Sequence, residues 1–76
     1  AENKKYVLMN VPTERIDDVV KVLPGAKSPT IMPLATEGWS SIHTVVDEKS
    51  FWEIISRLKE LGAQGILVMP IEKMIL

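Results

Sequence analysis

The first half of the chain begins with a short apolar run and continues with a helical pattern. Residues 5–10 are largely apolar and end at Val11-Pro12, which is typical of a strand that enters a turn. Between residues 13 and 23 the apolar side chains recur at i, i+3, i+4 and i+7, so they share one helical face. The pattern therefore predicts a strand over 5–10 and a helix over 13–23. The apolar positions of this helix are Ile16, Val19, Val20 and Leu23.

Two further strands follow, and prolines indicate the place of the first one. Residues 28–35 have the composition of a strand but include Pro29 and Pro33, which lack the N–H that a ladder needs. Such a strand belongs at the edge of a sheet. Glu37-Gly38 then predicts a hairpin turn into residues 39–46, which are rich in β-branched side chains.

The last third of the chain predicts a second helix and a final strand. Asp47 is in position to cap a helix that ends near residue 61, and Gly62 suits the left-handed residue after it. Residues 63–69 form an apolar run that predicts a fully buried strand, closed by Pro70. The apolar stripe of the helix consists of Phe51, Ile54, Ile55, Leu58 and Leu61.

The resulting order is βαββαβ, which predicts an α+β ferredoxin-like fold. In this split βαβ arrangement a four-stranded antiparallel sheet carries both helices on one face. Right-handed crossovers place the first and third strands in the centre and the second and fourth at the edges. The proline-marked strand thus falls at an edge, as its composition requires. A chain of 76 residues supports one core, so residues 1–76 are expected to form a single domain.

The strand patterns also predict that the second face of the sheet is covered. Tyr6 and Leu8 alternate with Val7 and Met9, so the first strand is apolar on both sides, and the fourth strand is similar. An antiparallel sheet with one wet face would alternate apolar and polar residues. We therefore expect another chain or another domain on this face, although a small domain can also expose some apolar surface. The expected interface residues are Tyr6, Trp39, Ser41, His43 and Val45.

Composition narrows the classes of partner. The formal net charge is −1 with basic and acidic residues interspersed, so neither nucleic acid nor a membrane surface is an expected partner. There is no cysteine, which removes disulfides and thiolate metal sites. The sequence has no run long enough for a spanning helix and no apolar signal segment at its start. A cytoplasmic location is expected.

The sequence offers no set of residues for catalysis. His43 is the single histidine, and Ser41 lies two residues away on the same strand face. That spacing is about 7 Å, which a hydrogen bond does not cross, so no nucleophile and base pair is expected. One histidine with scattered carboxylates also predicts no metal site. Tyr6 and Trp39 allow an RNA-recognition alternative with the same topology, but the basic surround of such modules is missing.

Three segments resemble a known family. They are LPGAKSPTIMPL at 23–34, EGW at 37–39 and GAQGILVMPIEKM at 62–74. Together they are similar to the C-terminal domain of long-form ATP phosphoribosyltransferase, the first enzyme of histidine biosynthesis. The resemblance extends over nearly the whole chain, and it implies that the chain is a regulatory domain excised from a longer enzyme.

The resemblance implies a histidine-responsive allosteric domain without transferase activity of its own. Its copies would meet in threes within a hexamer, bind L-histidine between neighbours and restrain catalytic domains that lie upstream. No cofactor is implied for this domain, although the parent family uses magnesium. Carried over by position, the ligand-binding residues are Asn10, Ala26, Ser28, Thr30, Gly65 and Ile66.

Each of these residues also has a purely structural interpretation. Some family members have an acid where Asn10 stands here, and the missing charge would weaken contact with a ligand ammonium group. Asn10 would otherwise cap the first helix, Ser28 and Thr30 would form a turn, and Gly65 would mark an irregularity of the strand. The alternative function is a stand-alone trimerisation or signalling module, similar to the PII and ACT domains that share this topology, without histidine binding.

Overall fold

The computed structural model describes residues 4–24 and 28–72 and confirms the predicted order of elements. The strands and helices are β1 Lys4–Pro12, α1 Ile16–Val22, β2 Thr30–Pro33, β3 Trp39–Asp47, α2 Glu48–Glu60 and β4 Gln64–Pro70. A single 3-10 turn, Thr13–Arg15, connects β1 to α1. Within the described ranges, neither helix has the length and apolar character needed to cross a bilayer.

The four strands form one antiparallel sheet in the order β2-β3-β1-β4. This confirms that the first and third strands are central and that the proline-marked strand is an edge. β1 and β3 pair along their whole length, from Lys4 opposite Asp47 to Pro12 opposite Trp39. β2 is much shorter and covers only the first half of β3, from Ser40 to His43.

The core lies between the sheet and the two helices, and its members are apolar. Residues at alternate positions of β1 and β3 point to the helices, while α1 and α2 contribute one stripe each. Burial of these side chains is the main stabilising term for a domain of this kind. The fully buried members are Val7, Met9, Val11, Val19, Ile42, Val46, Phe51 and Leu58.

The first helix begins later than the sequence pattern predicts. Residues 13–15 form a 3-10 turn, and the α-helix starts at Ile16 without a side-chain cap. Thr13 is held instead by the sheet end, because its N–H donates to the carbonyl of Gly38 at 2.8 Å and its hydroxyl lies 2.8 Å from that of Ser40. The interpretation of Asn10 as the cap of this helix is therefore wrong.

The predicted ends of the second helix are confirmed. The Asp47 carboxylate accepts a hydrogen bond from the N–H of Ser50 at 3.3 Å, which satisfies one free donor of the first turn. Gly62 follows the helix with a φ of +98°, a conformation that favours glycine. A Cβ at this position would lie 3.0 Å from Cγ of Pro12, so the end of α2 is also packed tightly on the end of β1.

The prediction of a fully buried fourth strand is wrong for the single chain. Ile66 and Val68 pack against the core, whereas Leu67 is 57% exposed and Met69 is 38% exposed. β4 is an edge strand with helices on one side only. An apolar run indicates side chains that suit burial on both faces, but it does not show that both faces are covered.

Candidate functional site

The side of the sheet away from the helices is the site of most interest, and we call it the open face. The central strands place alternate residues on it because successive strand side chains point to opposite faces. The register then assigns the edge-strand residues that share this side. The open face comprises Tyr6, Leu8, Asn10, Thr30, Met32, Trp39, Ser41, His43, Val45, Leu67 and Met69.

The residues expected at an interface all lie on the open face. Tyr6, Trp39 and His43 are half-buried there, and Ser41 is buried beneath its neighbours. Their contact with another chain stays a prediction. Met32 and Leu67 are also exposed on the open face but were not among the expected interface residues, although their alternate positions in the strand segments indicate this face.

His43 is held by two hydroxyl groups, and one of these contacts was not expected from the sequence. Its Nε2 lies 2.8 Å from the Ser41 hydroxyl oxygen, and its Nδ1 lies 3.3 Å from the Tyr6 hydroxyl oxygen. The expectation that Ser41 was out of reach is wrong, because the 7 Å spacing applies to the backbone and the imidazole leans back along the strand. Since a hydroxyl can donate or accept, both ring nitrogens are satisfied in either tautomer.

This cluster has the arrangement of a structural histidine. Tyr6 meets the imidazole edge-on, with ring centroids 6.1 Å apart and an interplanar angle of 81°. No carboxylate completes a triad with Ser41 and His43 among the hydrogen bonds of the described residues. The cluster fixes the direction of the imidazole on the open face.

The structure brings Asn10 and Gly65 together at one side of the sheet. The ladder between β1 and β4 shifts register between Leu8 and Asn10, and Asn10 pairs with Gln64. Gly65 has a φ of +56° at this irregularity. A Cβ on Gly65 would lie 3.4 Å from Nδ2 of Asn10, so the amide lies directly against the glycine backbone. The irregularity predicted for Gly65 is confirmed, and the Asn10 amide borders the space that a Cβ would take.

Ser28 and Thr30 lie at the opposite edge of the sheet. Thr30 begins β2 across from His43 on the open face, and Ser28 precedes it. Ser28 lines a groove of about 480 Å³ between α1 and β2, together with Lys21 and Asp17 of the helix. From β2 to β4 there are three interstrand spacings, or roughly 14 Å. Residues of the two edges therefore do not meet in one chain.

The remaining predicted ligand residues are placed as follows. Ile66 turns its side chain toward the core and could meet a ligand only through its backbone. Ala26 lies outside the described residues. The predicted set thus divides into an Asn10 and Gly65 half and a Ser28 and Thr30 half.

The described residues do not fit a magnesium site. Between residues 4 and 24 and between 28 and 72, no three acidic or histidine side chains are grouped closely enough to hold a metal ion. The acidic side chains on the helices are instead spread over the surface, where Arg15 pairs with Asp18 at 3.3 Å.

The chain matches a known protein family. The model of the HisG C-terminal domain matches residues 1–73. The chain belongs to this HisG C-terminal domain family. The resemblance drawn from the sequence is therefore confirmed. The segments that carry it belong to an α+β fold in which one sheet has two helices on one face.

Relatives of this HisG C-terminal domain are much longer proteins. The chain is 75% identical over all 76 residues to the ATP phosphoribosyltransferase of Phocaeicola vulgatus and 68% identical to that of Bacteroides fragilis, and it spans 27% of each. It is 61% identical over 75 residues to the ATP phosphoribosyltransferase of Cytophaga hutchinsonii, of which it spans 26%. The rest of those transferases has no counterpart in this chain, so their catalytic domains are not represented in it.

Proposed function

We propose that this chain is the regulatory and oligomerisation domain of an ATP phosphoribosyltransferase. It binds L-histidine between neighbouring copies and so mediates feedback inhibition of the first step of histidine biosynthesis. Membership of the HisG C-terminal domain family supports the role in this enzyme. The observation that carries the effector site is the separation of the predicted ligand residues across one sheet, with Asn10 and Gly65 on the paired strands β1 and β4 and with Ser28 and Thr30 at the β2 edge.

The division supports a site that needs two copies. Gly65 on β4 lies three interstrand spacings, or roughly 14 Å, from the β2 side that holds Ser28 and Thr30, and Asn10 on β1 lies two spacings, or roughly 10 Å, from it. A free amino acid is too short to contact both halves of one chain at once. If the β4 side of one copy adjoins the β2 side of the next, one ligand contacts both halves.

The chemistry of the two halves suits an amino acid. The Asn10 carbonyl oxygen can accept from the ammonium group, and the Gly65 backbone lies beside the same amide with no Cβ between them. From the other copy, Ser28 and Thr30 offer hydroxyl groups that can donate to the carboxylate or meet an imidazole nitrogen. Histidine then acts as a bridge whose contacts exist only in one arrangement of the subunits.

Feedback requires that the ligand favours one arrangement. A ligand shifts such an equilibrium by no more than its difference in affinity for the two states, and couplings of this kind are typically about 1–3 kcal/mol. A bridging ligand has such a difference because half of its contacts are lost when the copies separate. In the whole enzyme the favoured arrangement would restrain the catalytic domains.

Calorimetric titration of the 76-residue chain with L-histidine tests this proposal. We expect one ligand per chain and saturation by millimolar ligand. Asn10→Asp is expected to bind about tenfold more tightly, because a carboxylate makes a charge-assisted hydrogen bond to the ammonium group. Thr36→Asp, in the exposed β2–β3 hairpin, makes the same charge change away from both halves and should leave the affinity unchanged.

Two results would count against the proposal. One is the absence of heat and of thermal stabilisation at millimolar L-histidine for both the natural chain and Asn10→Asp. The other is equal affinity of all three chains, which would place the ligand elsewhere. Assembly without any histidine response would favour the PII-like trimerisation module instead.

A further inference from the structure

The open face contains one side chain of the type that changes its charge near neutral pH, the imidazole of His43. Histidine ordinarily titrates between about pH 5 and about pH 8, and this chain has no second histidine and no cysteine. The half-buried ring lies near the middle of β3, between Leu8 of β1 and Thr30 of β2. His43 therefore lies well inside the surface that an associating copy would cover.

The contacts of His43 satisfy the hydrogen-bonding groups of both the neutral and the protonated ring. Nε2 lies 2.8 Å from the Ser41 hydroxyl oxygen, and Nδ1 lies 3.3 Å from the Tyr6 hydroxyl oxygen. A neutral imidazole donates from one nitrogen and accepts at the other, whereas a protonated imidazole donates from both. Each hydroxyl oxygen can take either role, so the protonated ring needs no new partner. The two forms thus differ in charge and not in hydrogen bonding.

No acidic side chain of the open face lies beside His43. The ring contacts the phenol of Tyr6, a group that ordinarily ionises only in alkaline solution. The other side chains that the four strands place around the ring have no ionisable group. These side chains are Leu8, Thr30, Met32, Ser41, Val45, Leu67 and Met69. A proton on the ring is therefore a positive charge without a partner on this face.

The charged residues of β1 and β3 lie at one end of the sheet or on its other side. Lys4 and Asp47 stand opposite each other where β1 begins and β3 ends. Asp47 caps α2 and is four residues from His43, or roughly 13 Å along the strand, a distance at which salt screens most of the interaction. Lys5 belongs to the helix side, where its Nζ lies 3.8 Å from a carboxylate oxygen of Glu48.

Covering the open face therefore favours the neutral ring. Removing an unpaired charge from water is costly, and an ionisable group in that position gives up its proton instead. Met32 is 47% exposed and Leu67 is 57% exposed, so the single chain leaves water on both sides of the central strands. In that state the half-buried ring can hold a proton. Association of copies and protonation of His43 are thus opposed.

We propose that His43 is a proton-sensitive switch of assembly: copies associate with the neutral ring and separate when the ring takes up a proton. The proposal rests on the proposed function for one point, that copies associate with the open face in their contact. The associated state then holds fewer protons than the separate chains. Association is therefore strongest above the range in which imidazole titrates and is lost as the pH falls through that range.

Sedimentation of the 76-residue chain at about pH 7.5 and about pH 5.5 tests the proposal. L-Histidine is left out, because its own imidazole titrates in this range. At the lower pH we expect the chain concentration at half-association to rise about tenfold or more, since every chain must release a proton before it associates. Circular dichroism should show the same fold at both pH values.

Two variants identify the group that responds to acid. His43→Gln keeps a hydrogen-bonding side chain that does not titrate, so its association should be the same at both pH values. Glu37→Gln removes an acid from the exposed β2–β3 hairpin and should keep the pH dependence of the natural chain. Equal association of the natural chain at both pH values would overturn the proposal. The same acid response in His43→Gln would also overturn it, as would a natural chain that is monomeric at about pH 7.5.

His43→Lys imitates the protonated state, because lysine carries its charge at both pH values. We expect this variant to keep its circular dichroism spectrum and to sediment as a single chain throughout. Thr36→Lys adds the same charge in the exposed hairpin and should associate like the natural chain. Association of a folded His43→Lys variant would show that the open face accepts a charge at this position, and the proposal would be wrong.

The single histidine also allows the proton to be observed directly. The ring C–H resonances of His43 report its protonation by NMR without overlap from a second histidine. In dilute samples of single chains the ring should titrate at a higher pH than in concentrated, associated samples. Titration at the same pH in both samples would refute the coupling between protonation and assembly.

Calorimetry with L-histidine at about pH 7.5 separates this proposal from the proposed function. If the natural chain binds L-histidine and associates equally at both pH values, the switch is wrong and the regulatory role stands. Acid-sensitive association that depends on His43, in a chain that does not bind L-histidine, would support the switch and refute the effector site.

Discussion

The two faces of the sheet have similar apolar side chains but different surroundings. On β1, Val7 and Met9 point to the helices and are fully buried, whereas Tyr6 and Leu8, which alternate with them, are half-buried on the open face. The helix side is completed by the chain itself. The open face and the edges beside it are suited to burial that a single chain does not provide. The helix side thus supplies the burial that stabilises the fold, and the proposed function assigns contact between copies to the other surfaces.

Truncation on the helix side should give the largest effect. Phe51 is the largest of the fully buried side chains, so Phe51→Ala leaves a cavity and should lower the free energy of unfolding by about 3–5 kcal/mol. Urea denaturation followed by circular dichroism measures this loss. Ser56→Ala, on the exposed side of α2, should change it by under about 0.5 kcal/mol. A loss for Phe51→Ala as small as that of the control would refute the distinction between the faces.

A polar substitution on the open face should weaken assembly more than it weakens folding. Leu67 is 57% exposed in the single chain, so Leu67→Ser should cost under about 1 kcal/mol in unfolding of the dilute, monomeric chain. The same change should raise the dissociation constant for assembly about tenfold or more, because the side chain is buried only between copies. Analytical ultracentrifugation over a concentration series measures the latter. Unchanged association would show that nothing covers Leu67.

Removing a hydroxyl from the histidine cluster should give an intermediate effect. Ser41→Ala leaves Nε2 of His43 without its 2.8 Å partner and should cost about 1 kcal/mol in the free energy of unfolding. Tyr6→Phe removes the longer 3.3 Å contact and should cost less. Thermal unfolding of both variants tests this order. If both variants unfolded at the same temperature as the natural chain, the hydrogen bonds of the cluster would not stabilise the open face.

Substitution of a surface ion pair should give the smallest effect. Arg57 contacts Glu60 at 3.4 Å on α2, with both side chains more than 60% exposed. Arg57→Gln should change the free energy of unfolding by about 0.5 kcal/mol or less and should not alter assembly. Urea denaturation and light scattering measure the two quantities. A change in mass would indicate a further interface on the helix side.

The order of elements and strands could be predicted because local signals agree with topology. The prolines at 29 and 33 marked an edge strand, Asp47 marked the start of α2, and Gly62 marked its end. The start of α1 was less predictable. Thr13 is a residue type that is common at the start of a helix. Its hydroxyl instead contacts that of Ser40, and its N–H donates to the carbonyl of Gly38 at the end of the sheet. Tertiary contacts of this kind are not visible in sequence spacing.

The candidate site was predictable only in part. Sequence placed Asn10 and Gly65 in different elements, and only the register of β1 with β4 brings them into contact. The contact between Ser41 and His43 was missed because spacing along a strand fixes backbone positions but not the direction in which an imidazole leans. The burial of β4 was overestimated because an apolar pattern shows which side chains suit burial and does not show that both faces of the strand are covered.

Light scattering of the 76-residue chain, with and without L-histidine, tests the central claim most directly. We expect particles of three chains of 8.5 kDa each, which persist to lower protein concentration when L-histidine is present. A mass of one chain at every concentration, unchanged by millimolar L-histidine, would contradict it.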